Sequence, residues 1–146
     1  MNIMITTPVE KDFLAVKSGF TQDLFLALNP PFPKVRLLRF DGCKKGDIVS
    51  LELNFIFFRQ TWESVITEDE TNKREFRFID EGTKLPFFFK YWKHHHRVIS
   101  NEEGTHIVDD ITFKTPLLLP EFLMYPALYL QFLYRKPVYK KFFKKA

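Results

Sequence analysis

The sequence predicts an α+β fold, a block of antiparallel strands with two short helices ahead of it and a long helix behind it. Two observations carry this. From Lys34 to about Thr115 apolar residues recur with a period of two, the period of half-buried strands. Before and after that block they recur at helical spacing. Strands gathered in one run with helices at the ends indicate segregated layers rather than the alternating order of a parallel sheet.

Each element follows from its residues. Met1 to Thr7 alternates weakly and reads as a short strand ending at Pro8. Thr7 or Pro8 then opens a helical stretch, with Glu10 and Asp12 near its positive end and Phe13, Val16 and Phe20 on one face. Thr21 to Leu28 is a second helix, with Thr21 as N-cap and Asn29-Pro30-Pro31 as its stop. Lys34 to Asp41 is a strand, and Lys45-Gly46-Asp47 turns into the next, where Val49, Leu51, Leu53, Phe55 and Phe57 share a face. Gln60 to Thr67 follows, then a charged turn from Glu68 to Lys73, then Arg74 to Asp80 with Phe76 and Phe78 on one face. Two long strands, Phe87 to Ile99 and Thr105 to Thr115, are joined through Ser100 to Gly104. After Pro116, Leu119, Phe122, Leu123, Pro126, Leu130, Leu133 and Tyr134 form a broad stripe, expected to pack on the sheet as a helix segmented by Pro126 and Pro137.

At 146 residues, 45% hydrophobic and 27% charged, the chain is long enough to bury one core and is expected to form a single domain over residues 1–146. The 18 phenylalanines exceed what a close-packed core of this size takes up, so some rings are expected to line a cavity. Cys43 is the only cysteine and the N-terminus lacks the pattern of a signal peptide, which together predict a cytoplasmic protein. Pro116 to Tyr134 is apolar but holds Glu121, Gln131 and three prolines, against the about 20 uncharged residues of a spanning helix. Six of the 22 basic residues, Arg135, Lys136, Lys140, Lys141, Lys144 and Lys145, lie in a C-terminal tail, and the rest of the chain is slightly acidic. That distribution argues against a nucleic-acid-binding face and leaves peripheral contact with an anionic membrane open.

The run Leu85-Pro86-Phe87-Phe88-Phe89-Lys90-Tyr91-Trp92-Lys93-His94-His95-His96-Arg97-Val98 contains Trp-x-His-x-His ahead of a second strand, Gly104-Thr105-His106-Ile107-Val108-Asp109-Asp110-Ile111-Thr112-Phe113. Together with the element order, these segments resemble the SRPBCC superfamily, which includes birch pollen allergens, START lipid-binding domains and aromatase/cyclases. The resemblance implies a helix-grip fold: a curved antiparallel sheet of about seven strands wrapped round a long C-terminal helix, with an apolar ligand held between them.

Strand alternation locates a candidate site. Trp92, His94, His96 and Val98 share one face of their strand, and Thr105, Ile107, Asp109, Ile111 and Phe113 form the inward set of the next. A two-residue turn between Asn101 and Gly104 sets His96 opposite Asp109 and Trp92 opposite Phe113, whereas a slip of two residues puts His94 or Val98 there. His96 and Asp109, with His94 close by, are therefore expected to form a polar spot on the wall of an aromatic pocket and are the candidate catalytic residues. A carboxylate fixes an imidazole's tautomer and suits it to anchor or protonate a ligand oxygen. The bland alternative is a buried pair that only ties two strands together. Phe55, Phe57, Phe76, Phe78, Trp92 and Phe113 are expected around the ligand, and Arg39, in parity with Val35 and Leu37, is a candidate for an acidic head group. Glu63 and Asp80 are further strand carboxylates whose faces stay open. Adjacent strand residues face opposite ways, so at most His94 and His96 share an ion, and no metal site is expected. No Ser-His-Asp spacing, phosphate loop or cofactor motif is present. The expected function is binding of a hydrophobic small molecule or lipid as carrier or sensor. The alternatives are a polyketide cyclase or dehydratase using the His-Asp pair, and a lipid-handling protein at a membrane surface.

Overall fold

A computed structural model describes residues 1–145. The elements run β1 (Asn2–Val9), α1 (Phe13–Ser18), α2 (Gln22–Ala27), β2 (Lys34–Phe40), β3 (Ile48–Asn54), β4 (Arg59–Thr71), β5 (Glu75–Lys84), β6 (Tyr91–Asn101), β7 (Gly104–Lys114), α3 (Glu121–Leu133) and α4 (Arg135–Phe142). The seven strands form one antiparallel sheet in the order β1-β7-β6-β5-β4-β3-β2. Its inner face is covered by α1 and α4 at one end, where Val16, Phe78, Val98, Ile107, Tyr139 and Phe143 meet, and by α3 at the other, where Ile3, Trp92, Ile111, Phe113, Leu128 and Phe132 meet.

Local chemistry sets most boundaries. β1 continues through Pro8 to Val9, which an edge strand tolerates because proline's missing N–H faces outward. The first helix begins at Asp12 instead, whose carboxylate accepts from the Ala15 N–H at 2.9 Å. β4 extends through the acidic run Glu68 to Thr71, which pairs with β5, and the turn falls at Asn72, whose side chain accepts from the N–H groups of Arg74 and Glu75. Between β6 and β7 the short turn holds: Gly104 takes φ +122°, a conformation that favours glycine, and Asn101 faces it. His96 is accordingly opposite Asp109 and Trp92 opposite Phe113. β6 itself starts at Tyr91 rather than Phe87, because Pro86 to Lys90 folds into a turn in which the Phe89 N–H donates to the Pro86 carbonyl.

The C-terminal helix departs from expectation in which side it buries. Leu128 and Phe132 of α3 and Tyr139 of α4 face the sheet, whereas Phe122, Leu123, Pro126, Leu130, Leu133 and Tyr134 are exposed. Both sides of α3 are apolar, so spacing alone does not choose between them. The choice falls to Arg135 and Tyr139, which follow Gln131 and Phe132 at helical spacing and are drawn to the buried Asp109. Pro137 has no N–H and its ring crowds the Leu133 carbonyl, which accounts for the break between α3 and α4 at Tyr134.

Candidate functional site

Between the concave sheet and α3 lies a cavity of about 520 Å³. Its walls come from Leu24 of α2 and Leu28 just past its end, Val49, Leu51 and Leu53 of β3, Phe55 and Phe58 of the following turn, Phe78 and Trp92 of the sheet, the Phe87 to Phe89 turn, and Leu128 and Phe132 of α3. Polar side chains converge on it from β5, β6 and α4: Asp80, His94, His96, Arg135 and Tyr139.

These groups form one network. The direct partner of His96 on β5 is Phe78, and the two rings stack with centroids 4.2 Å apart. Each histidine therefore makes its polar contact diagonally, a reach that long side chains on a twisted sheet have. His96 Nε2 lies 2.6 Å from Asp80 Oδ2, and His94 Nε2 lies 2.8 Å from Asp109 Oδ1. The expected contact between His96 and Asp109 is thus not made, although the two residues are register partners. Arg135 and the Tyr139 hydroxyl each approach Asp109 Oδ1 at 3.4 Å, and the Arg135 guanidinium sits 4.4 Å from the centre of the Phe132 ring.

Burial of the His94 imidazole, together with the neighbouring His96, pushes its pKa down to about 4, against the opposing pull of Asp109. Burial alone would raise the Asp109 carboxyl, but the His94 hydrogen bond and the Arg135 charge outweigh it and hold the group at about 2. Asp80 is likewise held below the usual range, its burial outweighed by the His96 hydrogen bond and the charges of His96, His94 and Arg135. With both carboxylates ionised and acceptors only, Nε2 of His94 carries a proton and Nδ1 is left with its lone pair.

Asp80, His94 and His96 bring one ligand atom each to within 4.8 Å of one another. The two imidazoles, however, stack face to face with centroids 3.5 Å apart and planes at 29°. Nitrogen lone pairs in nearly parallel planes do not converge on one ion about 2 Å from each, so the arrangement suits hydrogen bonding better than ligation.

Of the other expected residues, Phe55, Phe78 and Trp92 line the cavity, while Phe76 and Phe113 are buried in the core beside it. Phe57 is 94% exposed. β3 ends at Asn54, whose side chain accepts from the Ile56 N–H, and Ile56 at φ +78° breaks the alternation on which the placement of Phe57 depended. Arg39 is also outside, paired with Asp41 at 2.9 Å, because a β-bulge between Leu37 and Arg39 reverses the parity of β2 and turns Phe40 to the cavity instead. Arg135, counted in the basic tail, is turned inward. The sequence held signals for the unassigned members: Asp80 shares parity with Phe76 and Phe78, and Arg135 and Tyr139 are four residues apart.

No family model matches the sequence, and no curated protein is significantly similar to it. Solved structures are similar over nearly its whole length. The di-domain aromatase/cyclase StfQ from the steffimycin biosynthetic pathway gives a TM-score of 0.73 at 11% identity, over 97% of this chain and 50% of that one. The Zhui aromatase/cyclase from Streptomyces sp. R1128 gives 0.67 at 15% identity, over 94% and 90%. The major latex-like protein 151 of Panax ginseng gives 0.64 at 12% identity, over 95% and 97%. Among the described residues no helix is long and apolar enough to cross a membrane. The chain has the helix-grip fold that these structures share.

Proposed function

We propose that the protein holds an apolar small molecule or lipid in this cavity, as a cytoplasmic carrier or sensor. The observation that carries the reading is a space of about 520 Å³ walled mostly by apolar and aromatic side chains, with its ionisable groups Asp80, His94, His96, Arg135 and Tyr139 close together. A pocket of that size and make-up buries most of a drug-sized molecule while the polar groups fix its orientation. Native mass spectrometry of freshly purified protein is expected to show a co-purified small molecule. Leu51→Trp, which projects an indole into the cavity from β3, is expected to weaken binding of a fluorescent apolar probe by about tenfold or more with circular dichroism unchanged. Undiminished probe binding by that variant would contradict the reading.

A cyclase or dehydratase reading is favoured by one feature, the Asp109–His94 pair with Nδ1 unprotonated beside the cavity, the arrangement of an imidazole base oriented by a carboxylate. In that reading His94, rather than His96, takes the proton. The similarity to two aromatase/cyclases supports it at the level of fold.

The exposed stripe on α3 supports peripheral membrane contact. Leu123, Pro126, Leu130 and Leu133 are spaced to share its outer side, and the exposed Lys140 and Lys141 lie on α4, with Lys144 just past its end. An apolar stripe flanked by lysines lies well in an anionic lipid surface. Flotation with phosphatidylcholine vesicles is expected to recover the protein only when phosphatidylglycerol is included, and less at high salt. Equal recovery with neutral vesicles would remove the charge argument.

A further inference from the structure

Within the polar network Asp109 Oδ2 is buried without a hydrogen-bond partner, and at the cavity wall two acceptors face each other. His94 Nδ1 and Asp80 Oδ2 lie 3.8 Å apart beside the cavity, too far for a hydrogen bond and both equipped only to accept one. His94 Nε2 is engaged by Asp109, and Asp80 Oδ2 already receives the His96 N–H. Both histidines are pinned by stacking, His96 against Phe78 and against His94 itself. The acceptor pair therefore cannot swing away to satisfy itself. A ligand group that brings a proton into the gap relieves it, and one that brings only lone pairs worsens it.

Resting on the reading of the cavity as a binding site, we propose that the bound molecule directs a hydroxyl group at His94 Nδ1 and Asp80 Oδ2, so that the cavity selects neutral hydroxylated apolar molecules over their ethers and carboxylates. An ether oxygen would face two acceptors with no proton to give. A carboxylate would face Asp80 with the half-buried Arg135 as the nearby counter-charge, and that guanidinium is already directed at Asp109. The low pKa of His94 agrees with this, since the lone pair on Nδ1 is available at neutral pH.

The test is a panel of three probes on one ring system: 2-naphthol, 2-methoxynaphthalene and 2-naphthoate, measured by calorimetry at pH 7. Methylation of the hydroxyl adds apolar area, so a cavity without the acceptor pair would bind the ether more tightly. The expected order is the reverse, with 2-naphthol about tenfold or more tighter than the ether and 2-naphthoate weakest. In Asp80→Leu one of the two acceptors is gone, and the preference for 2-naphthol over the ether is expected to shrink or vanish. Should that variant fold poorly, the wild-type order decides alone. Equal or tighter binding of the ether or the carboxylate overturns the proposal while leaving the cavity reading intact. Binding of none of the three removes the cavity reading and the proposal with it.

Discussion

Asp109→Ala is expected to cost the fold about 3 to 5 kcal/mol, the effect of stripping one partner from a buried charged group. Asp109 is 1% exposed and accepts from His94, Arg135 and Tyr139 at once. Its removal leaves the half-buried guanidinium of Arg135 with Asp80, also half-buried, as the other carboxylate near it. It also frees His94 to change tautomer, which undoes the polar end of the cavity. Urea unfolding checks the figure, and two comparisons separate this cause from a general intolerance of the strand. Asp110→Ala, next in sequence but half-buried and bonded to Asn2 on the outer face, is expected to cost under about 1 kcal/mol. Pairing Asp109→Asn with Arg135→Met removes both charges and is expected to recover most of the loss. A single-variant cost below about 1 kcal/mol would mean that the network is not part of what holds β7 to α4.

The second large effect is acid lability beginning well above the range of ordinary carboxylates. In the unfolded chain His94 takes up a proton near 6.5, whereas in the folded protein it does so only near 4. Between those values the unfolded state binds more protons, so stability falls as pH falls, by about 3 kcal/mol across the window. Asp109 extends the loss: its carboxyl protonates near 3.8 when unfolded and near 2 when folded, so the stability it contributes is present above the first value and gone below the second. Melting temperatures measured from pH 8 to pH 4 are expected to decline most steeply below pH 6.5. In His94→Gln the decline between pH 6.5 and 4 is expected to flatten, since no imidazole remains at that position to take up the proton. An unchanged slope in that variant would place the acid sensitivity elsewhere.

The fold was legible because its signals are collective. Period two across the middle of the chain and the order of elements need no single residue to be placed correctly, and the short turn closed by Gly104 fixed the pairing of β6 with β7. The site was legible only in part, because it depends on single residues at places where alternation is interrupted. The bulge at Leu37 and Arg39 and the positive φ of Ile56 each insert a reversal of parity that composition does not announce, and Arg39 and Phe57 fall just beyond them. Register gave which residues stand opposite each other, but not that twist and the stack on Phe78 would send His94 to Asp109 and His96 to Asp80. The C-terminal helix was misoriented for a different reason. A segment apolar on both sides gives no contrast by which to choose its inner one, and the deciding group, Arg135, looks from the sequence like the first residue of a solvated basic tail.

The break at Tyr134 divides the task of closing the molecule between two pieces of unequal grip. α4 is fastened by the fully buried Tyr139, by Lys136 bonding the Thr6 carbonyl and, just past its end, by Phe143 inside the core, whose carbonyl accepts from the Lys11 N–H. α3 has Leu128 and Phe132 as its buried residues, with much of its length facing solvent or the cavity. Local opening takes place where few apolar contacts must be given up, and Pro137, by leaving the Leu133 carbonyl without its helical donor, lets α3 tilt without unwinding α4. On the proposed reading of the cavity as a binding site, a ligand's expected way in and out runs past α3. Residence time there would then be set by how often that helix lifts, a quantity that substitutions on its outer side are expected to change without touching the ligand.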